Sequence, residues 1–269
     1  MAWDADGFLS IEDLYLAYRK AKVDMYYERD HATAFAFVEF EENLDENLAN
    51  LHAELNASQP GWHHNEQFVG TYGYVPKSLE PLEKDSSFEQ SRSTSTTSDW
   101  SPSGFVVSDP DNAWDYANLQ NKHSAKFRLV GRHPIEFHVV SALWLQKVGY
   151  LYDSALGVSV YGSRMRKTSG YDSSERRPNP TSLGSFRPYT YGFRAWRQNG
   201  LAAIRSALDA QRSVIAITAD LRQFYHSVGP AYLLRDSFLS DFNIRLSSDQ
   251  IRFTQQLIDA LHTWAIGTP

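Results

Sequence analysis

Cysteine is absent from this chain of 269 residues. Disulfides, thiolate zinc sites and cysteine nucleophiles are therefore excluded, and the absence suits a reducing compartment, so we expect a cytoplasmic protein. The sequence also lacks any apolar run close to the roughly 20 residues that a membrane-spanning helix needs. Its acidic start, residues 1–6, has no basic stretch of the kind that opens a signal peptide. We therefore expect no association with a membrane.

The net charge of −6 hides a strong segregation of charge along the chain. Residues 1–121 carry −15, residues 122–222 carry +10 and the remaining 47 residues carry −1. A basic block that also holds many Tyr, Phe and Trp residues is typical of a surface that meets phosphates and bases. The same pattern fits a basic face that pairs with the acidic N-terminal part, and charge alone does not choose between the two.

Hydrophobic spacing predicts the order of helices and strands. Helices are expected at 10–27, where Ser10 can cap the first turn, and at 33–55, where apolar residues recur at three- and four-residue steps. The pattern then predicts a strand at 126–130, a helix from Pro134 to Leu151, a short helix at 201–208, a buried strand at 214–217 and mostly helix from Tyr232 onward. Helices around a strand that ends in an acid indicate an α+β or α/β core.

One stretch carries the most specific chemistry. The apolar run 214–217 leads to Asp220, and a carboxylate at a strand end can hold a hard cation such as Mg²⁺. The stretch resembles motif A of reverse transcriptases, D-[LI]-x-x-F-[FY]-x-S-[IV]. The matching positions are Asp220, Leu221, Phe224, Tyr225, Ser227 and Val228. The alternative is a turn in which Asp220 caps a helix and the two aromatic residues belong to the core.

The resemblance to motif A implies a role for each matching residue. Asp220 would bind the catalytic Mg²⁺ or Mn²⁺ ions, and the backbone carbonyl of Leu221 would add a ligand. Phe224 and Tyr225 would belong to the nucleotide site, where Tyr225 would lie under the sugar and exclude a 2′-hydroxyl. Residues 214–220 would form a central strand of an antiparallel sheet, with a helix beginning at Tyr225.

Segments upstream of Asp220 resemble the fingers of reverse transcriptases from bacterial phage-defence and abortive-infection systems. The resemblance is carried by residues 126–135 and by the turn 161–166, in which Ser163 and Met165 depart from a Y-G-N-R-L-R-like pattern. In that family a basic residue of the fingers binds the incoming triphosphate, for which guanidinium offers several donors. The candidates here are Lys126, Arg128 and Arg132. Each of them is equally well explained as a surface cation on a strand edge.

Residues 186–197 resemble the linker before motif A, where basic and aromatic side chains approach template or primer. Bases stack on aromatic rings without regard to sequence, which suits a polymerase channel. The candidates for nucleic-acid binding are Arg164, Arg166, Arg187, Arg194 and Arg197. The alternative for all of them is local packing.

The resemblance as a whole implies an α+β fold in three parts. Residues 1–121 are expected to form an acidic, mainly helical N-terminal extension with a Ser/Thr-rich loop at 85–104, residues 122–212 a basic fingers region, and residues 213–269 a partial palm. No Asp-Asp pair follows motif A, and residues 267–269 resemble the opening of motif B. We therefore expect the N-terminal part of a longer polymerase, inactive alone.

The expected function is nucleotidyl transfer by two-metal catalysis, templated or untemplated, in bacterial antiphage defence. Its partners would be deoxynucleotide triphosphates, an RNA or DNA template or primer, a noncoding RNA and a second copy of the chain. The alternative is a non-enzymatic nucleic-acid-binding or assembly module that keeps the polymerase fold.

Overall fold

A computed structural model describes residues 7–28, 31–81, 123–168, 177–217, 219 and 229–266. The α-helices and strands in chain order are α1 (Ile11–Glu28), α2 (His31–Glu41), α3 (Leu44–Leu55), α4 (Glu66–Val69), β1 (Thr71–Pro81), β2 (His123–Arg132), α5 (Ile135–Trp144), α6 (Tyr150–Ala155), α7 (Tyr189–Asp209), α8 (Asp236–Asp241) and α9 (Ser248–Ile266). Short 3₁₀ turns occupy Trp62–His64 and Pro230–Leu234, and a π turn occupies Leu145–Gly149. The expected α+β class is confirmed, because β1 and β2 pair as a small antiparallel sheet.

The hydrophobic core lies among α1, α2, α3, α5 and α9. On α1, Leu14, Ala17, Tyr18 and Ala21 share one buried face, since residues three and four apart are neighbours on a helix. That face packs against α5, whose Val139, Val140 and Leu143 are fully buried. The described residues divide into two compact units, one formed by Met1–Thr71 with His133–Pro269 and the other by Tyr72–Arg132. None of the described helices is long and apolar enough to cross a membrane.

The single helix expected at 33–55 is wrong, because the structure divides it into α2 and α3. The break lies at residues 42 and 43, where Asn43 has an extended φ of −131°. The side chain of Asn47 donates a hydrogen bond of 2.9 Å to the carbonyl of Phe40, which replaces a partner that the helix would have supplied. The apolar spacing continues across the break, so both helices still face the core.

The buried strand expected at 214–217 is also wrong. Residues 212–217 form neither helix nor strand, and the side chains of Ile215 and Ile217 are 88% and 87% exposed. A strand needs a hydrogen-bonded neighbour, and β1 and β2 are the strands of the only sheet in the part of the chain that the structure describes. The positions of Asp220 and Tyr225, which the same prediction involved, lie outside the described residues.

Candidate nucleic-acid interface

The helix α7 carries a row of exposed aromatic side chains. Pro188 enters the helix with φ −56° and ψ 131°, and Tyr189, Phe193 and Trp196 follow at a spacing that sets them on one face. Successive rings in the row have centroids 5.8 Å apart, and Tyr189 and Phe193 are stacked. Their exposed fractions are 75%, 42% and 52%. Such rings present flat apolar surfaces to solvent, where a base could stack on them.

Arginine side chains accompany the aromatic row. Arg187 precedes α7, while Arg194 and Arg197 lie on it one turn apart, and all of them are exposed. Arg205, two further turns along the same helix, is also exposed. The sequence interpretation missed Arg205 and treated the aromatic residues as part of a linker. The helical spacing of residues 189, 193 and 196 was the signal that could have identified the row.

Two contacts attach the beginning of α7 to the turn that contains Tyr161. A Cβ on Gly192 would lie 2.4 Å from the carbonyl oxygen of Tyr161, so only glycine permits this close approach. Two helical turns further on, the side-chain amide of Asn199 donates a hydrogen bond of 2.8 Å to the Tyr161 hydroxyl. These contacts fix the helix while leaving its aromatic row free of the core.

The side chain of Arg164 is engaged within the protein. Its Nε donates to Asp153 Oδ1 at 3.0 Å, and its terminal nitrogens donate to the carbonyls of Asp153, Gly157 and Val160. Arg166 donates from Nε to the carbonyl of Phe186 at 2.7 Å. The geometry thus gives both arginines structural roles in holding the turn, and the nucleic-acid contacts predicted for them stay a prediction.

Asp153 is the acid around which this turn is organised. Its side chain is almost completely buried, and it accepts hydrogen bonds from Arg164 and from the backbone N–H of Met165, while Lys167 Nζ lies 2.7 Å from Oδ2. Burial alone would raise the pKa of Asp153, but the hydrogen bonds from Lys167, Met165 and Arg164 outweigh it and hold the pKa below its ordinary value. Asp153 is therefore ionised and paired.

The loop that leads to α7 is held by α1. Lys20 is 2% exposed, and its Nζ donates to the carbonyls of Asn179, Ser182 and Gly184 and to the Ser182 hydroxyl at 2.8–3.2 Å. Burial lowers the pKa of Lys20, and the nearby positive charge of Arg19 adds to that effect. One turn later, Asp24 accepts the backbone N–H of Ser185 at 2.9 Å. Burial raises the pKa of Asp24, and its hydrogen bonds with Ser185 oppose the shift.

The remaining predicted site residues belong to β2 or lie outside the described residues. Lys126 and Arg128 belong to β2, and Arg132 is its exposed last residue, with a side chain that lies over the backbone of Gly73. The motif A candidates Asp220, Leu221, Phe224 and Tyr225 lie outside the described residues. Among the residues that are described, no group of three or more His, Asp or Glu side chains could hold a metal ion. The Mg²⁺ site expected at Asp220 and Leu221 stays a prediction, because both residues lie outside the described part of the chain.

Comparison of the chain with protein-family models, with curated proteins and with solved structures found no match in any of the three. Any function assigned to the chain therefore depends on its own residues and their geometry.

Proposed function

We propose that α7 binds single-stranded nucleic acid, and that the chain is the nucleic-acid-binding part of a reverse-transcriptase-like DNA polymerase. The observation that supports the first statement is the exposed aromatic row of Tyr189, Phe193 and Trp196 on a helix that also carries exposed arginines. Proteins that bind single strands combine stacking rings with a positive surface that follows the phosphates. The motif resemblance around Asp220 supports the second statement.

The aromatic and the arginine side chains on and next to α7 contribute to binding in different ways. Stacking on the aromatic row contributes about 1–3 kcal/mol per base and tolerates any sequence. Arg187, Arg194 and Arg197 neutralise phosphates and release condensed counterions, which makes binding depend on salt. Neither contribution reads the edge of a base, so the surface discriminates little among sequences.

The aromatic row is tested by substitution of its most polarisable ring. Trp196→Ala should weaken binding of a fluorescent single-stranded oligonucleotide about tenfold, since it removes one stacking partner. Fluorescence anisotropy at fixed salt measures the affinity. Phe35→Ala is the matched control, because Phe35 is 72% exposed on the acidic helix α2 and should not affect binding. Equal losses from both substitutions, or none from Trp196→Ala, would count against the proposal.

In the polymerase proposal, Asp220 and the carbonyl of Leu221 would hold Mg²⁺, which supplies charge stabilisation at the reacting phosphate. Other residues of this chain would position the nucleotide and the nucleic-acid strand around the metal ion. Tyr225 would exclude a 2′-hydroxyl by its bulk, and the arginines of α7 would hold the strand that is copied or extended. The resemblance of residues 126–135 and 161–166 to the fingers of defence-associated reverse transcriptases supports a role in bacterial antiphage defence.

The catalytic role of Asp220 is tested by a substitution that keeps its shape and removes its charge. Asp220→Asn should reduce deoxynucleotide addition by several orders of magnitude, because it removes a ligand that acts on the transition state. Binding of oligonucleotide should change little. Tyr225→Ala should retain some deoxynucleotide addition and admit ribonucleotides. Incorporation is measured on a primed template at fixed Mg²⁺ in the protein as its gene encodes it.

The alternative function is nucleic-acid binding or assembly without catalysis. It is favoured by the conformation of residues 212–217, which do not form the strand that motif A calls for. Under this alternative, Trp196→Ala still weakens binding, whereas wild type and Asp220→Asn show the same lack of nucleotide addition. The two substitutions together therefore separate the binding function from the enzymatic one.

A further inference from the structure

A cavity of about 370 Å³ lies in the larger unit, and none of the residues that line it belongs to α7. One wall comes from the π turn and α6, a second from the extended segments around Met165 and Phe186, and a third from residues 232–244. Met165 and Phe186 pair as an antiparallel β-bridge, and both residues line the cavity. We call this space the aromatic cavity.

Aromatic rings dominate the third wall and its contact with α6. Phe238 stacks on Tyr152 with centroids 6.3 Å apart and an angle of 24°, and it meets Tyr232 edge to face at 5.0 Å. Phe242 lies 4.8 Å from Phe238 and is 43% exposed, so it stands at the opening. The cavity therefore offers both ring faces and ring edges to a planar guest.

Two polar side chains of the walls, those of Asp153 and Tyr152, already have partners within the protein. The carboxylate of Asp153 is held by Arg164 and Lys167, and the Tyr152 hydroxyl donates to the carbonyl of Leu233 at 2.8 Å. An ion or a charged ligand would have to compete with these contacts. Ser163, which is exposed, brings a hydroxyl to the lining, and Tyr232 is a second lining residue with a hydroxyl group.

The π turn gives the first wall its shape. A Cβ on Gly149 would lie 3.0 Å from Leu145 Cδ2 and 3.0 Å from the ring of Trp144, so glycine lets the turn pack tightly behind the cavity. Single π turns inside helices occur frequently at functional sites. The π turn beside this concave, apolar surface is therefore a second indication of a binding site, independent of the cavity's size.

We propose that the aromatic cavity binds a flat, uncharged aromatic molecule of two or three fused rings. The volume of about 370 Å³ falls at the lower end of the range of about 300–1,000 Å³ for small-molecule sites, and the rings of the walls match a planar guest. The engaged charges of the walls exclude an ionic ligand, and the hydroxyl of Ser163 suits one polar substituent at the rim.

The methionines provide a direct readout, because the chain contains only three. Met165 lines the cavity, whereas Met25 packs against the hydrophobic core. Titration of ¹³C-methyl-methionine-labelled protein with 2-naphthol should shift the Met165 methyl resonance upfield and saturably, with a dissociation constant of about 1 mM or below. Met25 should not move. A non-saturating shift, or equal shifts of both methyl groups, would overturn the proposal.

Two comparisons make the test specific. 2-Naphthoate, which is charged, should bind at least about tenfold more weakly than 2-naphthol, since its carboxylate finds no free partner. Ala155→Trp should fill the cavity and abolish the saturable shift, whereas Ala202→Trp, on the exposed surface of α7, should leave it intact. If Ala155→Trp disturbs folding, the two ligands decide alone. Equal binding of the ligands, or 2-naphthol binding that survives in folded Ala155→Trp protein, would contradict the inference.

Discussion

Asp153 balances two positive side chains in a largely buried position, and that balance explains why the turn before α7 is ordered. The sequence gives no sign of this, because Arg164 and Arg166 have the same alternating pattern as residues that bind phosphates. The partner of Arg164 is decided by Asp153, which lies eleven residues upstream. The fold brings Asp153 Oδ1 within 3.0 Å of Arg164 Nε. Sequence patterns reveal charge, whereas the choice between internal and external partners depends on tertiary contacts.

The role of Asp153 predicts a loss of stability with a defined pH dependence. Asp153→Asn should lower the free energy of unfolding near neutral pH by about 3 kcal/mol, because Arg164 and Lys167 lose their counter-charge. Since the folded-state pKa is depressed, the contribution of Asp153 is complete above its unfolded pKa and is lost as the pH falls through the folded value. The difference between the two proteins should therefore shrink below about pH 4.

Urea denaturation at a series of pH values measures this difference. Asp241→Asn is the control, because Asp241 is exposed at the end of α8 and should change stability by less than about 0.5 kcal/mol. A difference for Asp153→Asn that stays constant from neutral to strongly acidic pH would mean that the carboxylate is not paired.

At the scale of elements, the C-terminal end of α7 places Gln211 in a left-handed backbone conformation that glutamine rarely adopts. Gln211 has φ 55°, its N–H donates to the carbonyl of Leu208, and the N–H of Arg212 donates to that of Ala207. This is a Schellman motif, in which glycine or asparagine is favoured at the left-handed position. The helix α8 ends in the same way, with Asn243 at φ 50°.

This comparison predicts that Gln211→Gly stabilises the end of α7 by about 0.5–1 kcal/mol, because it removes the strain of a side chain in the left-handed region. Asn243→Gly is the matched control and should have a smaller effect, since asparagine tolerates that region. Hydrogen exchange of the amides in the last turn of α7 for Gln211→Gly, and in the last turn of α8 for Asn243→Gly, measures each change against wild type. A larger slowing of exchange in α8 after Asn243→Gly than in α7 after Gln211→Gly would argue against the motif.

Elements with tertiary partners were the ones that could be predicted. The positions of α1, β2 and α5 follow from apolar spacing and from Pro134, and the structure confirms them. The apolar run 214–217 has the composition of a buried strand, but composition does not supply the neighbouring strand that would bury it. For α7, the prediction covered only residues 201–208, because the glycine and the aromatic residues of its first half hid the helical period.

At the scale of the molecule, the segregation of charge seen in the sequence has two structural meanings. Part of the basic block serves internal contacts, as Arg164 and Lys167 do with Asp153. Another part, on α7, faces solvent on a helix that also carries exposed rings. The charge pattern left open whether residues 122–222 form a nucleic-acid surface or a basic face that pairs with the acidic N-terminal part, and α7 is the part of the described block that we propose for the surface.

The most direct test of this account is the salt dependence of single-strand binding. Each phosphate contact on a single strand contributes about 0.7 to the slope of log affinity against log salt, so changing Arg187, Arg194 and Arg197 together to Ala should reduce the slope by about 2. Arg245→Ala, an exposed arginine outside α7, serves as the control and should leave the slope unchanged. We predict weaker binding with a shallower slope for the triple variant. A slope equal to that of the wild type would contradict the assignment of α7 as the nucleic-acid surface.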